Sequence, residues 1–224
     1  MKHISCIIFD LDGTLTHTNE LIFATVNHVA EKYIHKRFQP AEITAMFGPP
    51  EEVVIERLVG PERLEQAMAE FYSFYETNHP HMADAYGGIR ELIGNLKGAG
   101  MLLAVFTGKG KRTALITLEK IGIKNYFDLV VTGNDVKNHK PSAEGIRKVM
   151  NTFGLKADEV LMVGDSLSDV KAAREAGVRI AGVVWDPYAK DRIAATEVDF
   201  LFQSVQDFAG WLYAVLPAPG ERVG

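Results

Sequence analysis

Aspartate residues follow two of the apolar segments of this chain, at the point where each segment ends. Asp10 and Asp12 come after the apolar residues of "IIFDLDGTLT", and Asp165 and Asp169 come after "VLMVG". Several carboxylates that face one cavity repel each other unless a cation neutralises them, and all-oxygen ligation suits a hard ion such as Mg²⁺. These acids therefore predict a magnesium site.

Uncharged and positively charged groups follow other apolar segments. Thr107 and Gly108 come after "LLAVF", and Lys140 lies in the loop beyond "FDLVVTG". A lysine and backbone amides beside a metal ion would balance the charge of a phosphate, which is most of what phosphoryl transfer requires of a protein. Asp10 could serve as the nucleophile through an aspartyl-phosphate, and Asp12 could protonate the leaving oxygen and later activate water.

Each of these residues also has a purely structural interpretation. An aspartate at a strand end is often a turn residue or a helix cap, and a single lysine is typically solvated. The tetrapeptide "TGKG" lacks the spacing of a Walker phosphate loop. The chemical interpretation therefore depends on all of these segments meeting at one place.

Short apolar segments alternate with amphipathic ones from Tyr86 onward, and this alternation predicts how the segments are arranged in space. The segments typical of buried strands there are Met101–Phe106, Phe127–Val131, Val160–Gly164 and Arg179–Val184, and Ile4–Phe9 near the N-terminus supplies a further strand. Between them, Ile89, Leu92, Ile93 and Leu96 share one helical face, and a further helix is expected from Pro141 to about Phe153. The pattern predicts an α/β fold with a doubly wound parallel sheet, which binds ligands beyond the carboxyl ends of its strands.

Residues 17–83 break this alternation, because their apolar positions have helical spacing and they contain no convincing strand. They predict an all-helical cap domain inserted between two parts of the core, residues 1–16 and residues 84–224. Within the cap, Gly48, Pro49 and Pro50 form the turn expected to reach the core site and to start a helix at Glu51, although a plain turn between helices is an alternative.

Two other groups of polar residues have less certain roles. Lys109, Lys111 and Arg112 could meet an anionic substrate or simply begin a solvated helix. The segment "NHPHM" contains two histidines but is more typical of a loop than of a metal site.

The overall composition narrows the classes of function and partner. The chain has 224 residues, with 24 Lys and Arg against 29 Asp and Glu, so its formal net charge is -5. This mild acidity gives no reason to expect nucleic acid or a membrane surface as a partner. The single cysteine, Cys6, excludes an intramolecular disulfide and is expected in the core. With no secretory signal pattern and no membrane span in view, a cytoplasmic monomer or homodimer is expected.

Four motifs together resemble those of the haloacid dehalogenase superfamily of phosphohydrolases. They are "DLDGTLT", "VFTG", Lys140-Pro141 and "VGDSLSD", in that order along nearly the whole chain. The resemblance implies a Rossmann-like core with a helical cap, Mg²⁺ as cofactor and a small phosphorylated molecule as substrate.

The same resemblance implies roles for individual residues. It implies Asp10 as nucleophile, Asp12 as general acid and base, and Thr107, Gly108 and Lys140 as the phosphate-binding residues. It implies that Asp165 ligates Mg²⁺ with Asp10 and the backbone carbonyl of Asp12, while Asp169 supports the metal site or orients Lys140. Gly48 and Pro49 are the candidates for substrate specificity in the cap.

Several branches of this superfamily differ in residues that the chain shows. Asp12 disfavours the dehalogenase and phosphonate-cleaving branches, which lack this second acid. The β-phosphoglucomutase branch carries an arginine soon after the glycine of its cap loop, whereas "MFGPPEEVV" has none before Arg57. The chain is most similar to the phosphoglycolate phosphatase group and its pyrophosphatase relatives, with a sugar phosphomutase as the alternative.

A non-enzymatic alternative comes from response-regulator receiver domains, which also place an aspartate, further acids, a threonine and a lysine at one sheet edge. A receiver is a compact domain with no inserted cap, and it lacks an acid at the position of Asp12. Both features of this chain favour turnover over storage of a phosphoryl group.

Overall fold

A computed structural model describes residues 4–187, 193 and 198–216 of the chain. The strands are Cys6–Phe9 (β1), Thr16–His17 (β2), Asp84–Ala85 (β3), Leu102–Phe106 (β4), Leu129–Val131 (β5), Val160–Gly164 (β6), Arg179–Val183 (β7) and Phe200–Phe202 (β8). The longer helices are Asn19–Ile34 (α1), Pro40–Thr44 (α2), Glu51–Val59 (α3), Leu64–Met82 (α4), Ile89–Gly98 (α5), Lys111–Lys120 (α6), Glu144–Phe153 (α7), Leu167–Ala176 (α8) and Val205–Val215 (α9). In these described ranges no helix has the length and apolar character that a membrane crossing requires.

Six strands form one parallel sheet in the order β5-β4-β1-β6-β7-β8. Strand β1 is central: its first residue, Cys6, lies beside Leu102 of β4 and Val160 of β6. All four residues of β1 are buried, as expected for a strand covered on both faces. The predicted doubly wound α/β fold is confirmed.

Helices cover both faces of this sheet. On one face α5 packs its four predicted apolar residues, Ile89, Leu92, Ile93 and Leu96, against the sheet, and each is at most 1% exposed. On the other face, side chains of α7 and α8 surround Cys6 and Ile8. Sequence reasoning found five of the six strands and missed β8, a three-residue edge strand that pairs only with β7.

Helices α1 to α4 lie between β2 and β3 in the chain and share an apolar core of their own. Phe71 and Tyr75 of α4 are fully buried in it. Strands β2 and β3 pair antiparallel, so the chain enters and leaves the helical segment through one short ribbon. The Thr16 hydroxyl donates a 2.7 Å hydrogen bond to the carbonyl of Asp84 across this ribbon. Division of the chain at residues 17 and 83 stays a prediction.

Two local predictions are wrong. The segment "NHPHM" is the last turn of α4 rather than a loop, and burial of His79 among the aromatic side chains of the cap accounts for the difference. Helix α7 begins at Glu144 rather than Pro141, because the Glu144 carboxylate accepts hydrogen bonds from the backbone N–H groups of Lys137 and Asn138. The loop thus folds back over the helix start, which leaves residues 141–143 outside the helix.

The buried His79 makes stability depend on pH. Its Nε2 atom has no hydrogen-bond partner among the described residues, and burial lowers the pKa of His79 to about 4, with the charge of Lys109 acting in the same direction. The unfolded chain, with a histidine pKa near 6.5, therefore binds this proton more readily than the folded chain as the pH falls from about 6.5 to about 4.

We expect His79→Gln to remove on the order of 2 kcal/mol of the stability loss between pH 7 and pH 4.5. The measurement is urea unfolding at both pH values. His81→Gln, an exposed position on the same helix, is the matched control and should follow the wild type. Equal pH dependence in the wild type and His79→Gln would contradict the assignment of a neutral, buried histidine.

Candidate active site

The predicted site residues meet at the carboxyl edge of the sheet, between β1 and β6. Asp10 directly follows β1, Thr107 follows β4, and Asp165 follows β6. Connections leave this point in opposite directions, since the strands after β1 add on one side and those after β6 add on the other. A crevice of this kind is the usual ligand site of an open α/β sheet.

Lys140 joins two of the acids. Its Nζ atom donates to Asp10 Oδ1 at 2.7 Å and to Asp169 Oδ1 at 2.5 Å, and it lies 4.7 Å from the centre of the Phe106 ring. Its side chain is only 6% exposed. Burial by itself lowers the pKa of Lys140, but the carboxylates of Asp10 and Asp169 outweigh burial and raise it, so the ammonium stays charged.

Three acids form a compact cluster beside this lysine. Carboxylate oxygens of Asp10, Asp165 and Asp169 lie within 4.8 Å of one another. Burial raises the pKa of Asp10 to about 7, with Lys140 opposing the rise. The pKa of Asp165 is also well above its usual range, because of burial and the charges of Asp10 and Asp169. A set of hard oxygen donors that repel each other in this way fits a divalent cation such as Mg²⁺.

Asp169 is held by the protein's own donors on both carboxylate oxygens. Besides Lys140 at Oδ1, the backbone N–H and the hydroxyl of Ser166 donate to Oδ2 at 3.1 and 2.6 Å. Ser166 is also the N-cap of α8, because its hydroxyl accepts from the backbone N–H of Asp169. This geometry favours the expectation that Asp169 orients Lys140.

Two glycines allow the acids to approach the backbone. A Cβ atom on Gly13, whose φ is +83°, would lie 2.4 Å from Asp165 Oδ2. A Cβ atom on Gly164 would lie 2.4 Å from Cγ of Asp169. Thr14, next to Gly13, donates its hydroxyl to Asp165 Oδ1 at 3.3 Å. The loop after β1 thus packs directly on the acid that follows β6.

Asp12 belongs to a second charged cluster, which the sequence did not predict. Lys109 Nζ is 3.4 Å from Asp12 Oδ2 and 3.5 Å from Glu51 Oε1, and the lysine side chain is 2% exposed. The Thr18 hydroxyl donates to the other oxygen of Asp12. Burial by itself lowers the pKa of Lys109, but the electrostatic effects of Asp12, Tyr75 and Glu51 outweigh burial and raise the pKa above its usual range. Of the two alternatives, a solvated helix start is therefore excluded for Lys109, whereas it fits the 62% exposed Lys111.

Glu51 brings the cap against the core. This first residue of α3 accepts hydrogen bonds from the backbone N–H of Gly110 at 2.5 Å and from the Thr113 hydroxyl at 2.7 Å, both at the start of α6. Sequence reasoning placed Glu51 at a helix start, where an acid is favoured by the dipole of its own helix. Its contacts with α6 could not be predicted, because they do not depend on the spacing of residues within α3.

The predicted cap turn also lies over the site. The carbonyl oxygen of Gly48 would be 3.0 Å from a Cβ atom on Gly108, and Pro50 packs against Gly133. Gly48 and Pro49 line a cavity of about 550 Å³ together with Asp10, Asp12, Thr107, Gly108, Lys140 and Asp165. The structure therefore brings every predicted site residue to this cavity except Asp169, which contacts it through Lys140.

Comparison with known sequences identifies relatives along nearly the whole chain. A sequence profile of the haloacid dehalogenase-like hydrolases matches residues 7–183. The pyrophosphatase PpaX of Halalkalibacterium halodurans is 34% identical over 204 residues, which cover 91% of this chain and 94% of the relative. PpaX of Bacillus velezensis is 34% identical over 208 residues, covering 92% and 95%.

Solved structures share the fold. A predicted phosphoglycolate phosphatase from Haemophilus somnus superposes with a TM-score of 0.80 at 24% identity, covering 96% of this chain and 99% of that one. A putative β-phosphoglucomutase from Thermotoga maritima gives a TM-score of 0.74 at 28% identity, covering 95% and 100%.

The buried Lys109 yields a prediction about stability. Lys109→Met removes the cation between Asp12 and Glu51 and leaves two carboxylates without their shared partner, so we expect a loss of about 3 kcal/mol of unfolding free energy. Addition of Glu51→Gln should recover part of that loss, because one of the two negative charges is then removed. Urea unfolding measures both changes.

Lys111→Met is the matched control, because Lys111 is exposed and its nearest carboxylate, Asp135, is 3.6 Å away. We expect this variant to lie within about 0.5 kcal/mol of the wild type. An equal effect of the two lysine substitutions would show that the cluster around Lys109 contributes nothing specific.

Proposed function

The chain belongs to the haloacid dehalogenase-like hydrolases, and we propose that it hydrolyses a small phosphorylated metabolite with Mg²⁺ and a phospho-aspartate on Asp10. The relatives support a phosphohydrolase. The observation that carries the proposal is that Asp10 and Asp12, two residues apart, line the same cavity but pair with different lysines. Asp10 forms an ion pair with Lys140, and Asp12 forms one with Lys109. Two carboxyl groups in different surroundings suit different chemical roles.

In the first step, a carboxylate oxygen of Asp10 attacks phosphorus and forms a new P–O bond. The bond from phosphorus to the leaving oxygen breaks, and Asp12 in its protonated form transfers a proton to that oxygen. Lys140 and the backbone N–H groups around Thr107 and Gly108 stabilise the equatorial phosphoryl oxygens, where negative charge increases.

In the second step, water attacks phosphorus while Asp12, now ionised, accepts its proton. The bond between phosphorus and Asp10 breaks, which releases phosphate and restores both carboxyl groups. Thr18 and Lys109 hold the Asp12 carboxyl in position through both steps, because each contacts a different oxygen of it. Docking of Glu51 on α6 places the cap over the cavity and excludes bulk water.

The acids of the cluster fit a magnesium ion. Asp10, Asp165 and the backbone carbonyl of Asp12 would hold it, and Asp169 would support the site through Lys140 or directly. When bound, Mg²⁺ supplies positive charge that neutralises the carboxylates and the phosphoryl oxygens.

We propose a phosphoglycolate-like phosphomonoester or pyrophosphate as the general type of substrate. PpaX relatives are pyrophosphatases, and the Haemophilus somnus structure is a predicted phosphoglycolate phosphatase. Against the sugar phosphomutase alternative, no arginine lines the cavity in the part of the chain that the structure describes.

A first prediction concerns the nucleophile and the metal. Purified protein should release phosphate from a panel of phosphomonoesters and pyrophosphate with Mg²⁺ and not with EDTA. Asp10→Asn should lower kcat by at least about 10³-fold while unfolding at a similar urea concentration, because the replacement is nearly isosteric. Full activity of Asp10→Asn would show that another group is the nucleophile.

A second prediction concerns the general acid and base. In Asp12→Ala the first step loses its proton donor and the second its proton acceptor, so kcat should fall by about 10² to 10⁴-fold. With a phenolic leaving group, which departs without a proton, the variant should accumulate phospho-enzyme detectable by mass spectrometry. Undiminished hydrolysis of alkyl phosphates by Asp12→Ala would remove the proposed role.

A further inference from the structure

The cavity has two walls of different character. Core segments supply the charged wall, with Asp10, Asp12 and Lys140 among its residues. Helices and a turn of the cap supply the other wall, which we call the apolar wall: Ile22 and Val26 of α1, Met46 and Phe47 after α2, and Val54 of α3. Whatever is attached to the reacting phosphoryl group must extend along the apolar wall, because the phosphoryl group itself binds at the strand ends.

The positively charged side chains that the structure describes around the cavity are all paired with acids of the protein, so none of them is available to bind a second anionic group of the substrate. Four carboxylates and two lysines line it within the described residues. Both lysines are already paired, Lys140 with Asp10 and Asp169, and Lys109 with Asp12 and Glu51. A divalent cation at the acids would leave no positive charge unmatched, because Asp169 adds a fifth carboxylate beside Lys140.

Among the described residues, Glu51 is the one cap acid that lines the cavity, and it is one of the four carboxylates already counted. Glu51 is negatively charged, and its oxygens accept from Gly110 and Thr113 while facing Lys109. Within the described residues, the other polar groups on the cap side of the cavity are neutral, those of Asn19 and Thr44. Burying a carboxylate or a second phosphate there would cost far more than burying a neutral group of the same size, since no cation compensates it.

The volume of the cavity also favours an organic leaving group over a small inorganic one. A cavity of about 550 Å³ lies within the range of sites that enclose an organic molecule, roughly 300 to 1,000 Å³, and is more than pyrophosphate fills. Phe47 is 45% exposed and stacks on Phe23 with ring centres 6.4 Å apart, so an aromatic surface borders the cavity where it meets solvent.

We infer that the preferred leaving group is a neutral, mainly carbon-based group that packs on the apolar wall. Its hydroxyl or amide substituents would bind Asn19 and Thr44. This inference rests on the proposed function and ranks its substrates: phosphomonoesters with a neutral leaving group are hydrolysed faster than phosphoglycolate and pyrophosphate, whose leaving groups are anionic.

The test uses a size-matched pair, 4-carbamoylphenyl phosphate and 4-carboxyphenyl phosphate, with pyrophosphate and phosphoglycolate beside them. Phosphate release with Mg²⁺ should give a kcat/KM at least about tenfold higher for the carbamoyl compound, the factor that corresponds to loss of one buried charge pairing. As a readout without turnover, 4-carbamoylphenylphosphonate should raise the Tm of the protein more than 4-carboxyphenylphosphonate does.

A variant on the apolar wall makes the test specific. Phe47→Arg adds a cation at a partly exposed position, so it should reduce the preference for the carbamoyl compound by at least about fivefold. Phe47→Leu, which keeps the wall apolar, is the matched control and should retain the wild-type preference.

The outcomes separate the two proposals. Release of phosphate with an equal or higher kcat/KM for the anionic compounds would overturn the inference and leave the proposed function intact. No release from any compound, with Mg²⁺ present, would overturn the proposed function and the inference with it. An unchanged preference in Phe47→Arg would show that the apolar wall does not select the leaving group.

Discussion

Repulsion between carboxylates buried at one edge of the sheet is the constraint on which the rest of the structure depends. Asp10, Asp165 and Asp169 lie within 4.8 Å of one another, a density of negative charge that is unfavourable without compensation. Lys140 supplies part of the compensation from the loop that precedes helix α7. The Glu144 carboxylate at the start of α7 holds this loop through the backbone N–H groups of Lys137 and Asn138.

The sheet must meet the same constraint through its backbone. Strand β1 is apolar throughout and buried on both faces, so its first polar side chain is the one at the carboxyl edge. Close packing of the β1 and β6 loops then requires the absence of a side chain at Gly13 and Gly164. The helical segment enters directly after this loop through the ribbon of β2 and β3. The position of the cap therefore depends on the same few residues that hold the acids.

Periodicity and strand-end residues were sufficient to predict the parallel sheet and the edge at which Asp10, Thr107 and Asp165 meet. They were sufficient because β-strands that are covered on both faces must be apolar, and the polar residues after them stand out. They failed where a long-range contact decides the structure. Lys109 follows a motif at a helix start, and only the position of α3 and α4 explains why it is buried. His79 and the edge strand β8 were misjudged for the same reason, since tertiary packing outweighed local pattern.

The two lysines divide the site into parts with different dependence on the cap. Within the described part of the chain, Lys140 forms its ion pairs with the core acids Asp10 and Asp169, so these pairs do not require the cap to be in place. Lys109 contacts Asp12 of the core and Glu51 of the cap, and its ammonium also lies 4.9 Å from the ring of Tyr75 on α4. Movement of α3 away from α6 would remove one of the two carboxylates from Lys109 and expose the other to water. The ion pair of the proposed nucleophile is thus independent of cap position, whereas the ion pairs around the proposed acid and base are complete only when the cap lies over the cavity.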